Sequence, residues 1–266
     1  MSEHGFELTT DLPAEGVALI RFRDVQRQNQ LCWATIEALA NILDGLPAQG
    51  VRVVVLTSDN PGHWFEHAWL SDINATIAGE ETTGDGAAWF RLMNLLSKGP
   101  LVSIAAINGN TCGGGCEVGW ACDLRVAEKQ ARFAQPEIRL GITPGVGGAS
   151  RLSKLVGRTL ASEMVLEGSW TSAERIYQVG GLNHVVEEGA ARQYALDWAS
   201  RIAAMPATAL VACKQVLAET EELPLQESLM MEQAKFQGTA ATDEGRQLMR
   251  DQQAYYDQGG STEKSF

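Results

Sequence analysis

The sequence predicts an α/β fold built from right-handed parallel strand–helix–strand units. Two observations carry this. Residues 51–57 (VRVVVLT) and 101–107 (LVSIAAI) are near-continuous apolar runs, as strands buried on both faces require. Segments of helical periodicity alternate with such runs, and consecutive parallel strands need a right-handed crossover.

The elements follow in order. Residues 16–22 (GVALIRF) read as a strand. Residues 35–46 place Ile36, Leu39, Ala40, Leu43 and Leu46 on one side at helical spacing, and Gly50 ends the pattern. After the 51–57 strand, residues 58–62 (SDNPG) are turn chemistry. An irregular Trp-rich segment and a polar loop near 79–86 precede a helix over 87–98. The 101–107 strand leads into a glycine-rich turn at 108–115, a short helix at 116–122 and a strand at 123–127. From residue 146 onward helical patterns dominate, with a strand at 184–187 and helices at 197–204, 207–220, 225–237 and 243–256. Two domains are expected, 1–200 with the site and 201–266 helical, with a frayed tail at 259–266. No internal sequence repeat or low-complexity segment is evident.

Composition excludes several classes. A hydrophobic fraction of 45% provides ample core, so wholesale disorder is excluded. No apolar stretch approaches the ~20 residues of a membrane span. The start, MSEHG, has neither a basic nor an apolar leader region, so no secretory signal is expected. Five cysteines, an odd number in a chain of 266 residues, fit a reducing cytoplasm better than a disulfide framework. A net charge of −12 disfavours nucleic acid. No spacing among His63, His67, Cys112 and Cys116 resembles a zinc site, and no metal is expected.

The chemistry centres on IAAINGNTCGGGCE, residues 104–117. A buried strand runs into three glycines that open a helix. Glycine lets a bare N–H approach a ligand, and the helix dipole points its positive end at the same place. That arrangement can stabilise an oxyanion, with Glu117 just inside the helix. A tight structural turn with a favourable first-turn glutamate accounts for the same residues. A second segment, ARFAQPEIRLGITPGVGG at 131–148, places Glu137 between a short strand and a Gly/Pro-rich loop. Alone, Glu137 reads as a surface loop glutamate. Together, two carboxyls in one low-dielectric pocket push their pKa values apart, so that one holds a proton while the other accepts one.

These segments, with CDLRVA at 122–127 and SEMVLEG at 162–168, resemble the enoyl-CoA hydratase/isomerase (crotonase) family. The resemblance runs from about residue 16 to 187. It implies a crotonase-like spiral of ββα units with a C-terminal helical domain, assembled as a homotrimer or homohexamer. It implies an acyl-CoA thioester substrate, with coenzyme A as part of the substrate and no separate cofactor. Glu117 and Glu137 match the family's two glutamates, and Gly114 matches one oxyanion amide.

The other oxyanion segment departs from the family, which usually carries an FSAGADL-like run where this chain has HWFEHAWLSDI at 63–73. Registering on Leu70 and Ile73 makes Ala68 the donor; registering on Phe65 makes it Trp69, and Ala68 is preferred. His67 and Trp69 are bulky where glycine and aspartate are usual, and Trp64 and Trp69 are expected to flank and narrow the pocket. His67 is an oriented structural group or an extra acid or base. The family's lysine after this segment is missing, and Arg27 beside Asn29 is the substitute for phosphate contact. Substrate-contacting residues are therefore expected at Arg27, Asn29, Glu66 and His67, and at Trp69, Gly113 and Gly145. Retention of both glutamates favours hydration of a 2-enoyl-CoA. The rivals are double-bond isomerisation, C–C hydrolysis of a β-dicarbonyl compound, and a non-catalytic oligomeric binding protein.

Overall fold

The computed structural model describes residues 5–264. Met1–His4, and the last two residues of the tail expected at 259–266, lie outside the described residues. The chain divides into two compact units, 1–204 and 205–266. The division falls past the boundary expected at 200 because the helix Ala191–Ala203 buries Ala191, Ala195, Ala199 and Ala203 in the first unit.

The first unit holds two sheets. The larger has six strands in spatial order Glu7–Ala14, Val17–Arg23, Val53–Ser58, Val102–Ile107, Leu124–Glu128 and His184–Val186. The first pair is an antiparallel hairpin, and every later pair is parallel, with Leu19 opposite Val55, Val55 opposite Ile104 and Ile104 opposite Leu124. The central strands Val53–Ser58 and Val102–Ile107 are buried throughout, as their continuous apolar runs require. The smaller sheet orders Gly62–His63, Gly109–Cys112, Arg132–Ala134 and Thr171–Ser172.

Three strands of the larger sheet are each followed by one of the smaller sheet and then by helix. Val53–Ser58 leads to Gly62–His63 and Leu70–Ala78, Val102–Ile107 to Gly109–Cys112 and Gly114–Ala121, and Leu124–Glu128 to Arg132–Ala134 and Ser150–Glu167. This is the crotonase spiral of ββα units. Residues 109–112, expected within a turn, form a strand instead. Gly109 lies directly against the backbone of Gly62 and His63, where a Cβ would come within 2.6 Å of both. Among the described residues no single helix is long and apolar enough to cross a membrane.

The second unit contains the helices Ala207–Thr220, Leu225–Ala240 and Asp243–Asp257. Thr242 caps the last, its hydroxyl accepting from the Gly245 N–H at 3.0 Å.

Gly115 is the tightest helical position near the glycine-rich turn. A Cβ there would overlap the Phe65 carbonyl group. Gly115→Ala is therefore expected to lower stability by about 3 kcal/mol or more, since backbone rather than a movable side chain must shift. Denaturant unfolding checks this; a loss below ~1 kcal/mol contradicts such close approach.

Candidate active site

A cavity of about 630 Å³ lies where the glycine-rich turn meets the 63–73 segment. His67, Ala68, Gly113, Gly114, Glu117, Glu137 and Gly145 line it, so seven of the eleven residues named from sequence come together.

Backbone hydrogen bonding separates the engaged from the unengaged N–H groups beside it. The Leu31 N–H donates to the His67 carbonyl and the Trp69 N–H donates to the Leu31 carbonyl, both at 2.9 Å. This bridge holds the residues on either side of Ala68. Among the described residues no protein acceptor takes the Ala68 or the Gly114 N–H. A Cβ on Gly114 would sit 3.1 Å from the Ala68 nitrogen, so the two amides are neighbours. Trp69, the alternative donor by sequence, has its N–H engaged.

Glu117 is buried in the first turn of the helix Gly114–Ala121. Its Oε1 accepts from the Val146 N–H at 2.8 Å and the Gly148 N–H at 2.7 Å. Burial raises its pKa, while those amides and the charge of Arg151 oppose the rise by favouring the carboxylate. Glu137 opens the short 3-10 helix Glu137–Leu140. Its Oε1 accepts from the Gln135 side-chain amide at 3.1 Å, and its buried Oε2 has no partner among the described residues. Burial pushes its pKa up to about 7, and the charge of Glu117 adds to the rise. The anion of Glu117 is thus better supported, and Glu137 is the carboxyl placed to hold a proton near neutrality.

The remaining sequence-named residues lie behind the cavity wall. Arg27 pairs with Asp24 at 2.8 Å, and its guanidinium stacks over Trp69, 4.8 Å from the ring centroid. Asn29 is buried in a left-handed turn, φ 61°. Its amide donates to Ser58 Oγ and the Trp64 carbonyl, both at 2.8 Å, and its Oδ1 accepts from the Asp24 N–H at 2.7 Å. Glu66 accepts from the Cys112 thiol at 3.2 Å and contacts His63 Nδ1 at 2.8 Å. None of these four residues is among those lining the cavity; their contacts are with the 63–73 segment and its neighbours.

His67 lines the cavity, and its Nδ1 lies 2.8 Å from the Ala68 carbonyl. A carbonyl only accepts, so Nδ1 carries the hydrogen and Nε2 is the acceptor of the neutral ring. Trp64 does not flank the pocket: it is fully buried and stacked on Phe65 at 4.4 Å. The pocket tryptophans are Trp33 and Trp89, in edge contact at 6.0 Å. The Trp33 N–H donates to Asp72 Oδ2 at 2.7 Å, and the Trp89 ring packs over Gly114. Leu70, Ile73, Phe90, Leu140 and Ile142 complete an apolar wall. The Val146 and Gly148 amides were also missed, although the PGVGG run at 144–148 offers bare N–H groups. Among the described residues no group of three or more His, Cys, Asp or Glu is placed to hold a metal ion.

The sequence model described as "Enoyl-CoA hydratase/isomerase" matches residues 13–259, and the chain belongs to that family. It is 31% identical to the short-chain-enoyl-CoA hydratase of Clostridium acetobutylicum over 242 residues, 90% of this chain and 92% of the relative. It is 44% identical over 141 residues to the 2,3-dehydroadipyl-CoA hydratase of Escherichia coli K12, an alignment covering 53% of this chain and about half, 55%, of the relative. The crystal structure of an enoyl-CoA hydratase from Bacillus anthracis superposes with a TM-score of 0.81 at 29% identity, covering 92% of this chain and 96% of that one.

The raised pKa of Glu137 has a consequence for stability. The folded state binds its proton more tightly than the unfolded chain, so its stabilising share is full below about 4.5 and is lost as pH rises to about 7. Glu137→Gln removes that slope. The variant should exceed wild type by about 2–3 kcal/mol above pH 7, with the gain vanishing toward pH 4.5. Unfolding curves across pH test this; a gain independent of pH contradicts it.

Proposed function

We propose that the protein adds water across the C2=C3 bond of a 2-enoyl-CoA. The observation that carries this is the convergence of two unengaged amides, Ala68 and Gly114, with two buried carboxyls whose pKa values are raised. The thioester oxygen accepts from both amides. As water adds at C3, the π electrons move to the carbonyl and the negative charge meets those donors, a contribution of roughly 3–4 kcal/mol per donor in comparable sites. Glu117, ionised and held by the Val146 and Gly148 amides, takes a proton from the water. Glu137, protonated, delivers one to C2. One carboxyl gains and the other loses a proton, and exchange with solvent resets the pair. Retention of both glutamates supports hydration over isomerisation, which needs only one.

The homotrimer or homohexamer belongs to the same proposal. Among the described residues of the unit 205–266 only Lys214 and Ser228 are buried, while Leu217, Leu225 and Phe236 are exposed, an apolar surface of the kind that subunits cover. Cytoplasmic placement is supported by five free cysteines, four of them buried thiols.

Loss of enoyl-thioester absorbance with crotonyl-CoA and longer chains should report turnover, declining above about pH 7 as Glu137 loses its proton. Glu117→Gln and Glu137→Gln should each lower kcat by ~10²–10⁴-fold. In deuterated water Glu117→Gln should still exchange the C2 proton of a saturated acyl-CoA, whereas Glu137→Gln should not. Conversion of 3-enoyl to 2-enoyl thioesters without hydration would instead make the protein an isomerase. Exchange by both variants would point to another base, His67 first.

A further inference from the structure

A second cavity, of about 360 Å³, shares Phe90, Gly145 and Val146 with the catalytic one. Its other walls differ in kind. Phe90, Met93, Asn94, Ser97 and Lys98 lie on the helix Ala88–Lys98 at i, i+3, i+4, i+7 and i+8, and so form one stripe. The stripe is apolar where it borders the catalytic cavity and ends in an amide, a hydroxyl and an ammonium. Arg151 enters the same cavity from the helix Ser150–Glu167, half-buried and held by donation from Nη1 to the Val146 carbonyl at 2.7 Å. Among the described residues no acidic one lines this chamber, although acidic residues outnumber basic ones 33 to 21 in the chain. The helix dipole alone favours a lysine in the last turn. It does not account for Arg151, a second cation that lines the same cavity from another helix while its charge also supports the Glu117 carboxylate.

We infer that this chamber receives the far end of the acyl chain and binds a carboxylate there, so that the preferred substrates are ω-carboxylated, dicarboxylic 2-enoyl-CoA thioesters. For the reaction this rests on the hydratase reading; for binding it does not. The methylene segment lies along Phe90, and the terminal carboxylate meets Lys98 and Arg151 in charge-assisted hydrogen bonds, with Asn94 and Ser97 as further donors. A methyl terminus offers those cations nothing in exchange for their water.

The test uses saturated, unreactive ligands in matched pairs: succinyl- and butyryl-CoA, glutaryl- and pentanoyl-CoA, adipyl- and hexanoyl-CoA, with affinities measured by calorimetry. At least one diacyl thioester should bind about tenfold or more tighter than its uncharged partner, as one or two charge-assisted bonds provide. Lys98→Met should remove most of that preference without weakening the uncharged partner, and Lys98→Arg should restore it. Absence of any diacid preference overturns the inference. So does an equal loss for both members of every pair in Lys98→Met and Arg151→Gln, which would place these cations on the coenzyme A phosphates. A diacid preference without hydration of any enoyl-CoA leaves the chamber's role intact and removes the hydratase reading.

Discussion

The cavity that gathers Glu117 and Glu137 depends on how closely two stretches of backbone approach. The helix start at Gly113–Gly115 packs onto the Phe65–Ala68 segment with no room for a side chain at Gly115. Thr111 ties the same contact, its hydroxyl donating to the Phe65 carbonyl at 2.6 Å. Gly113 turns with φ 50°, in the left-handed region, which lets the strand Gly109–Cys112 pass into the helix without a spacer. From this approach the Ala68 and Gly114 amides become neighbours. The approach is built from main chain, so the bulky His67 and Trp69 are accommodated around it. Leu31 clamps the backbone on both sides of Ala68, and Asn29 holds the segment at the Trp64 carbonyl.

Around that fixed pair of donors the electrostatics separate two carboxyls of the same chemical type. Both are buried, which disfavours charge in each. Glu117 meets two backbone N–H groups from a loop that returns about thirty residues later, whereas Glu137 meets the Gln135 side-chain amide and its own N–H and, among the described residues, has an oxygen with no partner. Fixed amide dipoles therefore sustain one anion and leave the other carboxyl dependent on its proton. An unpartnered buried oxygen is costly to stability, and its retention fits a position reserved for a reacting group.

Much of this was legible in the sequence, for identifiable reasons. The runs at 51–57 and 101–107 announced buried parallel strands because a strand covered on both faces leaves no polar alternation. The triple glycine and the PEIRLGITPGVGG segment announced the two carboxyls and a glycine that the fold brings to one cavity. Other features were not legible. The spiral is a repeat of backbone path, and side chains at equivalent positions differ too much to show as a sequence repeat. The strand Glu7–Ala14 is a mostly exposed hairpin arm, so it carries no core signature. Arg27, Asn29, Glu66 and Trp69 sit beside the site in sequence but face its supports, because their partners Asp24, Ser58 and Cys112 are set by tertiary contact. Trp33 and Trp89 belong to helices whose apolar faces looked like ordinary core, and only the fold turns them toward a cavity.

The central claim is that Ala68 and Gly114 together receive the thioester oxygen. A crystal structure with an unreactive enoyl-CoA analogue tests it most directly. The account predicts a carbonyl oxygen about 2.7–3.1 Å from both amide nitrogens, with C2 and C3 facing Glu137 and Glu117. A thioester oxygen bound elsewhere, or bonded to only one of the two amides, would contradict it.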